Sequence, residues 1–371
     1  MTNVKTHHEP LVRVSKRDGM VWWKGWLIRI SAIILALILC AGIIVLLTGY
    51  DPIKVYKDLF NGSFATSRKF WSMLQDLAML LCISLAVTPA FKMRFWNIGA
   101  EGQALMGCLA SAACMIYLGD SMSPWLLFPI MTVAAIASGA IWAVIPAYCK
   151  AKWDTNETLF TLMMNYVATQ LVSFCIVFWE NPKDSNTVGI INSATQGGWL
   201  PSIGNQKYLL NIIIVAVIMI ALYIYLKHSK QGYEISVVGE SVNTARYVGI
   251  NVKKVIIRTM LISGALCGIT GLLLVSGTHH SITVNTVGGM GFTAIMVSWL
   301  AKFNPITMSL TSFLIVFLEH GSKEIVTASS GMLNDSMSEI LTGIILFCII
   351  GSEFFVSYKL NFRNKHKEES K

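Results

Sequence analysis

Apolar residues in this chain run on in long stretches instead of recurring at the spacing of one helix face or one strand face. Ten stretches are free or nearly free of charge, at 30–47, 77–91, 102–119, 125–149, 158–179, 208–226, 259–278, 281–301, 303–318 and 340–352. A helix that crosses a bilayer needs about 20 mostly apolar residues, since its backbone satisfies itself while its side chains meet hydrocarbon. The pattern predicts an all-α polytopic bundle of about ten membrane helices. Runs 77–91, 281–301 and 340–352 are the weakest, being short, glycine-rich or bounded by acids. The first run lies too far along for a cleaved signal peptide and lacks a small-residue cleavage site, so a retained span is expected. Residues 1–25 and 359–371 are polar and basic and are expected as cytoplasmic tails around a membrane domain at 26–358.

Composition agrees with this division. The chain is 54% hydrophobic and 13% charged, where a soluble domain carries about 25% charged residues. A large soluble enzyme is thereby excluded. The net charge of +9 does not point to nucleic acid, because most of the 29 Lys and Arg residues fall in the two tails and in the turns on one side, chiefly 227–258. That bias places both termini in the cytoplasm; an eight-span topology would do the same. The connections 180–207 and 227–254 are too short to fold as domains. No GxxxxGK[ST] loop is present, the dipeptide Gly-Lys does not occur, and HExxH and GxSxG are missing. The eight cysteines form no CxxC pair, so no metal, cofactor or disulfide framework is expected and the thiols read as small hydrophobes between helices.

Four patches carry candidate chemistry. The first, Phe95-Trp96-Asn97-Ile98-Gly99-Ala100-Glu101-Gly102-Gln103, sits where a span should be starting or breaking. Irregular backbone at membrane depth survives only when packed in protein or lining a cavity, and an ionisable residue there is a candidate functional group. The plainer reading puts Glu101 at an interfacial helix start, meeting the helix dipole. The second patch, 277–292, holds paired histidines and the run Gly288-Gly289-Met290-Gly291. With no nearby carboxylate, the histidines read as a polar loop more than a metal or proton site, while the glycines suggest a second broken helix. The two breaks follow the second and seventh spans, and this odd offset makes spans 2–5 and 7–10 candidate inverted repeats. In the third patch Asn156 can cap a helix, and Thr161 and Asn165 share a face that lines a path or bonds to another helix. The fourth, within 229–254, is framed by Ser241 as N-cap and Gly249 as the residue after the helix, with Val242, Ala245 and Val248 on one face. So short a helix is marginal in water and needs a partner to dock on.

NIGAEGQ, NETLFTLMMNYVA, VGESVNTARYVGINV and the glycine-rich run ending in AKFNP together resemble the membrane permeases of ABC importers. The resemblance covers roughly 30–355 and is to the branched-chain amino acid/ribose-type permease family, within it to bacterial nucleoside importers. It implies a multi-pass subunit of the bacterial plasma membrane that moves a nucleoside, or a simple sugar or amino acid, and does no chemistry on it. It also implies a separate ATPase subunit, a second permease (the same chain or a related one) and an extracellular solute-binding lipoprotein as partners, in contact with membrane lipids and not nucleic acid. By the same likeness Gly239, Glu240, Ser241, Ala245, Arg246 and Gly249 belong to the coupling helix that sits in the ATPase. Phe95, Trp96, Asn97, Gly99, Glu101, Gln103, Asn165, Gly288 and Gly289 would lie along the translocation pathway. An ion-coupled secondary transporter is the rival; it would need mid-span acids, whereas Asp76, Glu101, Glu157 and Glu339 fall near span ends. An intramembrane enzyme would need a nucleophile–base or metal pairing, and none is recognisable.

Overall fold

The computed structural model describes residues 12–17, 21–49, 51–204, 206–328 and 335–362. In chain order a strand β1 (Val12–Lys16) precedes α1 (Trp22–Thr48), α2 (Pro52–Phe64), α3 (Ser67–Lys92), α4 (Ala100–Leu118), α5 (Pro124–Trp153) and α6 (Glu157–Trp179). There follow α7 (Leu209–His228), α8 (Lys230–Glu240), α9 (Val242–Tyr247) and α10 (Val252–Leu274), which a π-helical turn, Val275–His279, extends. The chain continues through α11 (Met290–Leu300), α12 (Pro305–Ala328) and α13 (Asp335–Ser357) to a last strand, β2 (Tyr358–Phe362). Among the described residues eight helices are long and apolar enough to cross a membrane: α1, α3, α4, α5, α6, α7, α10 with its π-turn, and α13. All ten apolar runs fall on helices, but two of them are not among these eight: 303–318 lies on α12, and 281–301 yields only the 11-residue α11, since its first half is loop.

The chain divides into two compact units. One comprises 1–65 and 317–371, the other 66–316, with the boundary inside α12. In the first unit α1 packs on α13, and Arg29 of α1 pairs with Glu353 of α13 at 2.8 Å. Strands β1 and β2 form an antiparallel ribbon with Val12 opposite Phe362 and Lys16 opposite Tyr358. Parts of both expected tails are thus ordered as strand; residues 1–11, 18–20 and 363–371 of those tails lie outside the described residues.

In the second unit α10 is the central helix, packed on α3, α4 and α5. Its close approach is built on Gly264 and Gly268: a Cβ on either would run into the backbone of α5 at Gly139 or Ala135. Small residues four apart bring helix backbones together where lipid offers no hydrophobic drive for association. Met260, Cys267 and Leu273 of α10 are buried as well. By contrast α5, α6 and α7 each keep one face uncovered.

Candidate functional site

The chain between α3 and α4 is the first break. Helix α3 ends with Arg94 in the left-handed region at φ 60°, and the Phe95 N–H donates back to the Ala90 carbonyl at 2.9 Å. Beyond it the backbone is irregular until Ala100 and has to find hydrogen-bond partners outside its own helix. Side chains provide them. Asn97 and Gln103 exchange two amide hydrogen bonds, 3.0 and 3.3 Å. Asn97 Oδ1 also accepts the Gly99 N–H at 3.1 Å, and its Nδ2 donates to Ser263 Oγ on α10 at 3.2 Å. From α6, Thr161 Oγ1 accepts the Ile98 N–H at 3.1 Å. Asn165 donates to the Ile98 carbonyl and accepts from the Gly102 N–H, both at 2.9 Å. Gly102 must be small here, since a Cβ would come 2.8 Å from Asn165 Oδ1.

Glu101 joins this break to the second one. Its Oε1 accepts the Gly289 N–H at 2.9 Å and its Oε2 accepts the Gly291 N–H at 2.7 Å. Gly288 and Gly289 have φ of 63° and 75°, a consecutive left-handed pair that side chains resist. A Cβ on Gly291 would meet the Glu101 backbone nitrogen at 2.5 Å. One carboxylate thus lies in the first turn of α4 and caps the N-terminus of α11, where both helix dipoles favour negative charge. Asn97, Gly99 and Gln103 are hydrogen-bonded to one another, Asn165 clamps the backbone on either side of them, and Glu101 ties this knot to Gly289, with Gly288 beside it in the chain.

Aromatic residues form a rim next to the knot. Phe95 is buried, but Trp96 is 45% exposed and stacks on Trp299 of α11 at 5.3 Å with Phe91 edge-on at 5.9 Å. They line a cavity of about 670 Å³ that also takes in Arg94, Phe303 and Glu240. No spacing signal in the sequence marks Trp299 or Ser263; both are supplied by packing alone.

The coupling candidates gather separately. Ser241 Oγ accepts the Thr244 N–H at 3.2 Å to start α9, and Gly249 follows the helix at φ 81°. Gly239 presses on the Lys92 carbonyl at the end of α3. Of the α9 face, Ala245 is fully buried, while Val242, Val248 and Arg246 are exposed and Tyr247 is 92% exposed. Beside α9 lies an open cavity of about 850 Å³ lined by Arg94, Lys150, Asp154, Glu157, Arg246 and Lys253 among others. Lys150 bridges Asp154 at 2.7 Å and Glu157 at 3.1 Å. Its hydrogen bond and charge hold the Asp154 carboxyl below the usual carboxylate range.

The second of the paired histidines takes a structural position. His280 stacks flat on Trp199 at 3.8 Å, and its carbonyl accepts the Ile191 N–H at 2.8 Å. Among the described residues no group of three or more His, Cys, Asp or Glu is placed to hold a metal ion.

Comparison with known proteins places this architecture. The family described as branched-chain amino acid transport system / permease component matches residues 71–350. The chain is 29% identical to a guanosine ABC transporter permease protein of Bacillus subtilis, over 86% of this chain and 92% of that one. It is 27% identical to a nucleoside ABC transporter permease protein of Lactococcus lactis, over 90% and 91%. With a glucose ABC transporter permease protein of Haloferax volcanii it shares 26% identity, over 88% of each chain.

Proposed function

The chain belongs to the permease-component family of branched-chain amino acid transport systems, and from that premise we propose that it conducts nucleosides inward through the plasma membrane. The coarser role is direct. It is an ABC transporter permease, a multi-pass plasma-membrane subunit that performs no catalysis, with ATP hydrolysed by a separate ATPase and the membrane part shared with a partner permease.

The observation that carries the nucleoside reading is the exposed indole pair Trp96–Trp299 at the rim of the broken helices. A planar aromatic face with polar groups close by suits a nucleobase and its ribose. Similarity to the nucleoside and guanosine permeases supports it. The second reading, a simple sugar, draws on the glucose permease of Haloferax volcanii, because a pyranose also stacks on indole. Uptake by the assembled importer in vesicles separates the two. Labelled guanosine or uridine accumulates on ATP addition, and excess glucose does not compete; accumulation of glucose alone would overturn the nucleoside reading.

Within this proposal α9 and Gly239–Glu240 form the coupling element that seats in the ATPase. Ser241 and Gly249 fix its length, and Val242, Tyr247 and Val248 offer the apolar contact. The α8–α9 end and both termini then face the cytoplasm, and a solute-binding lipoprotein delivers the solute from outside. Cysteines introduced at Ser193 and Lys230 test this orientation with a membrane-impermeant thiol reagent. Labelling of Ser193→Cys in intact cells and of Lys230→Cys only in inverted vesicles is expected, and labelling of both from one side would reject it.

A further inference from the structure

Three candidate spans of the second unit carry a face that nothing else among the described residues of that unit covers. On α5 its middle holds Val133, Ala137 and Ile141, and on α7 it holds Ile213, Val217 and Ile220. Both are aliphatic, a surface that hydrocarbon solvates well. Helix α6 differs. Tyr166 is 62% exposed, and Gln170 and Ser173 are exposed too. They lie at i, i+4 and i+7, on one helical face, in the middle of a span that runs from Glu157 to Trp179. Among the described residues none of the three makes a side-chain hydrogen bond, whereas Thr132 and Ser138 on α5 return theirs to carbonyls at 2.8 Å.

The placement of this edge is specific. Thr169, on the same edge, donates to the Asn165 carbonyl at 3.0 Å, and Asn165 is the residue by which α6 holds the break at Ile98 and Gly102. The polar edge therefore flanks the knot, while the other flank of the uncovered face, Met163, Val167, Leu171 and Phe174, is apolar. Unpaired polar groups at mid-membrane depth face a bundle interior or a water-filled path, not lipid.

We propose that Tyr166, Gln170 and Ser173 line the solute path, with Gln170 reading the hydrogen-bonding edge of the solute. A carboxamide offers one acceptor and two donors, the complement of the adjacent N–H and C=O groups on the edge of guanine, hypoxanthine or uracil. Tyr166 adds a flat ring for the base, and the Ser173 hydroxyl suits a ribose hydroxyl. The choice of a nucleobase as ligand rests on the nucleoside reading above; the assignment of the edge to the path rests on exposure and polarity alone.

Two measurements on the complete importer test it, each with its own failure. In the first, Gln170→Leu lowers guanosine uptake about tenfold, the worth of one well-placed hydrogen bond in a dry site, and narrows the preference for guanosine over purine riboside, whose base has no N–H to donate. Leu171→Ala, from the apolar flank, leaves both uptake and ranking as in the wild type. An unchanged ranking in Gln170→Leu would overturn the role of that residue. In the second, Ser173→Cys reacts with a charged thiol reagent above the background of the eight native cysteines and is protected by guanosine, whereas Val167→Cys stays unreactive. Absence of labelling at Ser173→Cys would mean that this edge is sealed against the partner permease or lipid, and would overturn the path assignment. If the wild-type importer carries glucose and no nucleoside, the nucleoside reading falls, and labelling at Ser173→Cys with protection by glucose still decides the path.

Discussion

The tie between α4 and α11 and the end formed by α8 and α9 use the same ingredients: glycines, a polar cap and the start of a short helix. They differ in where their polar and apolar groups go. In the tie, Glu101 accepts two N–H groups from the start of α11, and Asn97, held by Gln103, joins Thr161 and Asn165 in satisfying the backbone around it. Within α9 a single side chain, Ala245, is buried, while Val242 and Tyr247, and Val248 after it, stand in the open. The first region is complete within the chain. The second, on the reading proposed above, is completed by the ATPase, since a six-residue helix gains too little from its own hydrogen bonds to hold a fixed shape in water.

That contrast is most directly broken at Glu101. In Glu101→Leu the N–H groups of Gly289 and Gly291 lose their acceptors, at roughly 1–3 kcal/mol for each buried donor left bare. Thermal unfolding in detergent is expected to start far below the wild type, with Glu101→Gln in between because its amide keeps one acceptor oxygen. Gly291→Ala belongs to the same group: its methyl must displace the Glu101 backbone, an overpacking cost of about 1–3 kcal/mol. Wild-type melting of both Glu101→Leu and Gly291→Ala would show that the tie does not hold the two breaks together.

Much of this arrangement was open to a reading of the sequence, and the remainder was closed for definite reasons. Apolar runs mark where helices lie because a span needs an uninterrupted apolar length, and each of the ten runs carries a helix. The run 281–301 shows the limit of that rule. Composition alone reads it as a span, but the left-handed pair Gly288–Gly289 delays the helix to Met290. The pairing of β1 with β2 joins residues more than three hundred positions apart, and no local pattern carries such a contact. At the knot, residue types were legible and partners were not. Asn97, Gln103 and Asn165 are polar groups at membrane depth, which suits a path lining and a scaffold equally. Only the geometry shows Asn97 bonded to Gln103 and Asn165 bonded to the backbone of Ile98 and Gly102, and shows Tyr166, Gln170 and Ser173 left unengaged on the neighbouring face of α6.

The α9 end responds in the opposite way to truncation. Tyr247 is 92% exposed, so Tyr247→Ala should change stability by no more than about 0.5 kcal/mol. Its effect belongs to the complex. An aromatic anchor removed from an interface commonly weakens association tenfold or more, so the permease variant should fold, insert and lose ATPase in a pull-down titration. Ala245→Trp sharpens the comparison, since bulk at the one buried position of α9 should displace the helix and lower ATP-driven uptake while the unfolding of the bundle stays unchanged. Full uptake by both variants would remove α9 as the docking element.

The smallest effect is expected at the Lys150 bridge next to α9. Asp154 sits fully in solvent after α5, and the hydrogen bond and charge of Lys150 lower its carboxyl from the ordinary value. A carboxylate held low contributes stability above its unfolded value, near pH 4, and loses that contribution as pH falls through the lower folded value. The whole response therefore lies in acid. Water screens an exposed pair and leaves it little net worth, so at neutral pH Asp154→Asn should be indistinguishable from wild type in melting. The residue is left-handed, with φ 52°, a conformation asparagine also accepts, so the substitution removes the charge without adding backbone strain. Below pH 4 the wild type should lose slightly more stability than the variant, because only the wild type has an ion pair left to protonate. A large loss at neutral pH would mean that Asp154 holds α9 or the start of α6 in place, and the α9 end would then be far more self-sufficient than its exposed side chains imply.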